Sequence, residues 1–116
     1  MGGDPVSEHD LARGRLAVTV TRLGGQCLIA LSGEADAATA DELRASLQEV
    51  LDQGASDLVL DLAELELLDS SGLGVLVGVL KRINERQGRM VLRSARGTTR
   101  RVFEVSGLDQ VFAIAD

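Results

Sequence analysis

The sequence predicts a small α/β domain. Its mixed β-sheet opens with an antiparallel hairpin, continues in parallel β-α-β units, and carries about three helices mainly on one face. Three observations lead there. Leu16, Val18 and Val20 alternate with Ala17, Thr19 and Thr21, and Gly24-Gly25 separates this run from a second apolar run, Cys27 to Ser32, as in a hairpin. Beyond the hairpin, short aliphatic runs alternate with stretches whose apolar residues recur at gaps of three and four. Glycines fall where those helical patterns stop.

Residues 1–14 are polar, with Gly2-Gly3 and the single proline at Pro5, and are expected to form a mobile leader to a domain spanning 15–116. After the hairpin, Gly33-Glu34-Ala35-Asp36 leaves the sheet. Asp36 can cap the next helix, and Thr39 with Glu42 also has the capping-box spacing. That helix carries Leu43, Leu47, Val50 and Leu51 on one face and stops at Gly54, where a left-handed residue is wanted. Leu58 to Leu62 reads as a buried strand, bounded by carboxylates, with Asp61 near its end. Leu73, Leu76, Val77, Leu80 and Ile83 mark a long helix running to about Gln87 and ended by Gly88. Met90 to Arg93 is a short strand. Thr98 or Thr99 caps a third helix containing Val102, Phe103 and Val105, in which Gly107 turns left-handed and Leu108 packs back. Val111 to Ala115 is the last strand. Right-handed crossovers that always add to the same side put all three helices on one face.

Composition removes whole classes of function. A chain of 116 residues makes one domain and buries roughly two thirds of the surface it exposes when unfolded. Two Phe and no Trp or Tyr leave an aliphatic core and no stacking platform for single-stranded nucleic acid. A net charge of -6 repels a phosphate backbone, so no nucleic-acid partner is expected. Cys27 is the only cysteine, which rules out an intramolecular disulfide and a thiolate zinc site and reads as a buried, inert thiol. His9 is the only histidine and lies in the leader, so a serine–histidine–aspartate site has no base in the folded region. No metal or cofactor is expected. No apolar run has transmembrane length and no signal peptide opens the chain, so a cytoplasmic protein with no membrane partner is expected.

One stretch gathers the polar chemistry: Leu67-Leu68-Asp69-Ser70-Ser71-Gly72-Leu73-Gly74, between the middle strand and the long helix. The plain reading makes a serine the helix cap, its hydroxyl accepting a free backbone N–H. The same position favours added negative charge, because N–H dipoles point out of the helix end. Gly72 and Gly74 would let another surface approach the backbone. A hydroxyl so placed is a candidate phosphate acceptor. Val75 and Val79 flank the main apolar stripe and are expected to face partly outward as a docking patch. Gly72, Gly74 and Gly78 also approximate a dinucleotide fingerprint, with Arg93 placed to meet a 2′-phosphate. A strand ending at Leu62, ten residues before Gly72, lies too far away for that motif. Arg96, Arg100 and Arg101 form a basic cluster that reads as a solvated face, with partner contact as the alternative.

The sequence resembles the bacterial anti-sigma factor antagonists, the STAS domains, over about residues 16–115. Leu31-Ser32-Gly33-Glu34-Ala35-Asp36, Leu58-Val59-Leu60-Asp61-Leu62, Asp69-Ser70-Ser71-Gly72-Leu73-Gly74 and Val102-Phe103-Glu104-Val105-Ser106-Gly107-Leu108 carry the resemblance. Ala35 departs from it, standing where a larger apolar residue is common. The resemblance implies a STAS-like fold and a switch protein of stress or sporulation responses with no catalytic role. Such proteins bind an anti-sigma factor that is itself a serine kinase, and so release a sigma factor. It maps the phosphorylated serine to Ser70, with a PP2C-type phosphatase reversing the reaction. Partner binding would fall to Asp36, Asp69, Ser71, Gly72, Leu73 and Gly74. The alternative is a STAS-type scaffold or accessory domain in which Ser70 is only a cap.

Overall fold

Gly24-Gly25 closes a two-residue turn between β1 (Leu16–Leu23) and β2 (Gln26–Ala35), which pair antiparallel from Leu16↔Gly33 to Leu23↔Gln26. The chain then alternates through α1 (Ala40–Asp52), β3 (Asp57–Leu68), α2 (Ser70–Glu85), β4 (Arg89–Arg93), α3 (Gly97–Ser106), a 3-10 turn (Leu108–Gln110) and β5 (Ala113–Ala115). These elements come from a computed structural model that describes residues 15–116, and the leader expected over 1–14 lies outside the described residues. The sheet order is β1-β2-β3-β4-β5, parallel after the hairpin. The element order and mixed sheet are those expected.

Alternation along the central strands sorts the two faces. Cys27, Ile29 and Leu31 on β2, Leu58, Leu60 and Leu62 on β3, and Met90 and Leu92 on β4 are buried. Against them stand Leu43, Leu47, Val50 and Leu51 of α1, Leu76, Val79 and Ile83 of α2, and Phe103 of α3. Each enclosed leucine contributes roughly 1.5–3 kcal/mol relative to an exposed one. The other face carries the register-matched rows Leu28, Val59, Val91 and Ala30, Asp61, Arg93, all at least partly exposed. There Arg93 donates to Asp61 across the strands at 3.3 Å. Asp61 therefore sits within β3 and does not end it.

β3 is the largest departure from the sequence reading. It runs on from Leu62 to Leu68. The β2–β3 register shifts twice, between Ala30/Ser32 and Gly33/Glu34, before pairing resumes at Glu34↔Leu67 and ends at Ala35↔Leu68. Such irregularities change which residues face inward. The buried series accordingly reads Leu58, Leu60, Leu62, Leu65, Leu68, which no strict alternation would reveal.

Three smaller corrections concern helix ends and faces. Thr39 does precede α1, but its buried hydroxyl donates to the Glu34 carbonyl at 2.8 Å and makes no capping-box bond. Asp36 does not cap α1 either: its Oδ1 accepts from the N–H groups of Ala38 (3.0 Å) and Thr39 (3.2 Å), which closes the turn that leads into the helix. Val75 and Val79 are only 4% and 3% exposed, because α1 packs against α2 on that side. The outward patch expected there does not exist. β5 is shorter than anticipated, since the 3-10 turn uses the preceding residues. Gly107 is left-handed (φ 79°) as expected, and Phe112 meets Phe103 edge-on with ring centroids 5.5 Å apart.

Candidate functional site

The C-terminal ends of β2 and β3 lie side by side, and the polar motif is built on them. The Asp69 N–H donates to the Ala35 carbonyl at 3.0 Å, so the residue after β3 is tied to the last residue of β2. Asp69 is extended (φ -105°, ψ -174°), the ordinary geometry of a helix cap. Its Oδ1 accepts the N–H groups of Ser71 at 2.8 Å and Gly72 at 3.1 Å, and its carbonyl accepts that of Leu73 at 2.9 Å. The cap is thus Asp69, where the sequence alone suggested a serine. Ser70 is the first residue inside α2, exposed, and its hydroxyl has no hydrogen-bond partner among the described residues.

The other expected site residues sort by geometry. Asp36, Asp69 and Ser71 are partly exposed at this end of the sheet. Gly72 is buried, and a Cβ there would stand 2.6 Å from the Ala35 carbonyl oxygen. The surface that approaches it is therefore the chain's own. Leu73 is nearly enclosed but still lines the groove described next. Gly74 is exposed on the α1 side of α2, with open space around its Cα, in a cleft shared with Arg44, Gln48 and Gly78.

A groove of about 500 Å³ separates the first turn of α2 from α3. Ser70 and Leu73 form one wall, and Thr98, Arg101, Val102 and Val105 form the other. The spacing of those four α3 residues is that of a single helix face. Thr99 fixes α3 from beneath, its buried hydroxyl donating to the Leu65 carbonyl at 3.2 Å. Val105 is 76% exposed and Leu67, three residues before Ser70, is 41% exposed. The apolar surface beside the serine therefore comes from the groove residues Leu73, Val102 and Val105 and not from Val75 and Val79. The signal was present in the sequence: Val105 stands about 200° around a helix from Phe103, so both cannot face the core.

The dinucleotide fingerprint fails at Gly72 and in the strand order, not in its spacing from the strand. β3 ends at Leu68, close to Gly72, so distance does not exclude it. Gly72 is instead closed off by Ala35. The strand order also never reverses, so the sheet lacks the switch-point crevice such ligands occupy. Arg93 is engaged with Asp61. Among the described residues no helix is long and apolar enough to cross a membrane.

The fold is thus a sequential mixed sheet backed by helices, and its polar motif sets an exposed serine just inside a capped helix. The STAS domain family model matches residues 17–116, and the chain belongs to that family. The chain is 36% identical over 93 residues to the anti-sigma F factor antagonist of Paenibacillus polymyxa, covering 79% of this chain and 80% of the relative. The crystal structure of an anti-sigma factor antagonist from Mycobacterium paratuberculosis matches with a TM-score of 0.78 at 30% identity, over 86% of this chain and 85% of that one. The Bacillus cell fate determinant SpoIIAA in its phosphorylated form matches with a TM-score of 0.68 at 28% identity, over 86% and 92% of the two chains. Within the family, the chain is thus of the anti-sigma factor antagonist type.

Proposed function

We propose that this chain binds an anti-sigma factor that is also a serine kinase, so releasing a sigma factor, and that phosphorylation of Ser70 switches the binding off. A PP2C-type phosphatase would reset it, all in the cytoplasm where sigma factors act. The observation that carries this reading is the division of roles at the start of α2. Asp69 takes the capping N–H groups, and the Ser70 hydroxyl stays exposed and unengaged. A scaffold in which Ser70 only caps the helix would need that hydroxyl on the N–H groups that Asp69 holds. The relative solved in a phosphorylated form supports the same reading.

The switch needs no refolding. A phosphoryl group adds about 1.5–2 negative charges and three acceptor oxygens. On the free protein, solvent and the helix N-terminus accommodate them. In a docked complex the group would be pressed against a surface shaped for a hydroxyl, close to the carboxylates of Asp69 and Asp36. Desolvating an unpaired charge costs several kcal/mol, and about 1.4 kcal/mol is already tenfold in affinity. The test is incubation with ATP and the partner kinase, with mass spectrometry of the Ser70 peptide and binding assays on Ser70→Ala and Ser70→Asp. Phosphate on Ser70, tight binding by the alanine variant and weak binding by the aspartate variant are expected. Equal binding by both variants rejects the switch.

A further inference from the structure

The arginines around α3 are not equivalent. Arg93 donates to Asp61 at 3.3 Å, and Arg96 donates to the Ala63 carbonyl at 3.2 Å. Arg100 pairs with Glu104 at 3.6 Å and with Asp116 at 3.1 Å. Arg101 is exposed, has no acceptor among the described residues, and lines the same groove as Ser70. An unpaired arginine and an unengaged serine on the walls of one apolar cleft become natural counterparts once the serine hydroxyl carries a dianion.

We propose that Arg101 is the intramolecular receptor for a phosphoryl group on Ser70, forming an ion pair that bridges the groove. The proposal rests on the reading of Ser70 as the phosphate acceptor. Guanidinium is the side chain best matched to phosphate, because its planar fork offers parallel N–H donors to two oxygens. Arg101 shares its helix face with Thr98, Val102 and Val105, so a guanidinium turned toward Ser70 crosses over Val102 and Leu73. The ion pair therefore does two things. It offsets the repulsion between the phosphoryl group and the carboxylates of Asp69 and Asp36. It also covers the apolar floor that a partner would need, so the modified protein loses its docking surface as well as gaining charge.

Phosphoserine installed at position 70 during translation, without any kinase, allows a test that does not depend on the partner. A 31P NMR titration reads the second ionisation of the phosphoryl group, which lies near about 6 in an unperturbed phosphoserine. Arg101→Ala should raise the midpoint by roughly one unit relative to the phosphorylated parent, and Arg101→Lys should raise it less. Arg100→Ala, whose parent side chain is already paired, should leave it in place. The Val105 methyl signals should shift on phosphorylation in the parent and not in Arg101→Ala. An unchanged midpoint in Arg101→Ala overturns the proposal. So does a variant that weakens partner binding by the unmodified chain while the midpoint stays put, which would make Arg101 a partner contact only. If no kinase ever modifies Ser70, the functional reading fails while the installed phosphoserine still reports on Arg101.

Discussion

The Ala35 carbonyl oxygen lies 2.6 Å from where a Cβ on residue 72 would sit, and the same oxygen accepts the Asp69 N–H at 3.0 Å. A single backbone atom at the end of β2 thus sets both the start of α2 and how closely the helix rests on the sheet. The neighbouring atoms are the carbonyl group and the Cβ of Ala35, with no flexible side chain to yield.

Gly72→Ala should therefore lose about 1–3 kcal/mol of stability, measured by chemical denaturation. The first turn of α2 should show the largest amide shift changes. A loss below about 0.5 kcal/mol would mean that the two elements part more easily than their packing implies.

Asp69 can be split into its cap and its charge. Asp69→Ala should cost about 0.5–2 kcal/mol, since the Ser71 and Gly72 N–H groups lose their acceptor, whereas Asp69→Asn should cost much less. With phosphoserine at 70, the asparagine variant should bind the partner better than the phosphorylated parent does. Comparable losses of stability in both variants would show that the charge, and not the acceptor oxygen, holds the helix start.

Ser70→Ala should change stability by less than about 0.5 kcal/mol, because the side chain is exposed and caps nothing. Thermal melts of the parent and variant should coincide. A loss near 1 kcal/mol would restore the capping role to the serine.

Phe103 and Val105 are two residues apart on α3 and should behave oppositely. Phe103 is fully buried against Phe112, so Phe103→Ala should cost about 3–5 kcal/mol. Val105→Asp should leave the melting temperature almost unchanged yet weaken partner binding tenfold or more. Intact binding by Val105→Asp would remove the groove from the docking surface.

Much of this arrangement could be read from residue order. The hairpin turn, the element sequence, the left-handed Gly107 and the place of the serines all follow from local periodicity and turn chemistry. What stayed hidden depends on contacts between distant segments. The continuation of β3 through Leu65 to Leu68 is set by register shifts against β2, which erase its alternation. The burial of Val75 and Val79 requires α1 alongside α2. Whether Asp69 or Ser70 caps α2 differs by one position, and capping preferences alone do not separate them. Arg101 looked like its neighbours until their partners were placed.

Because an upstream carboxylate anchors the helix, the adjoining side chain is free to carry a message without taxing the scaffold. Esterifying it would leave that anchor in place, so the isolated molecule would keep its fold. The mark would become audible only when a second protein tries to sit down on it.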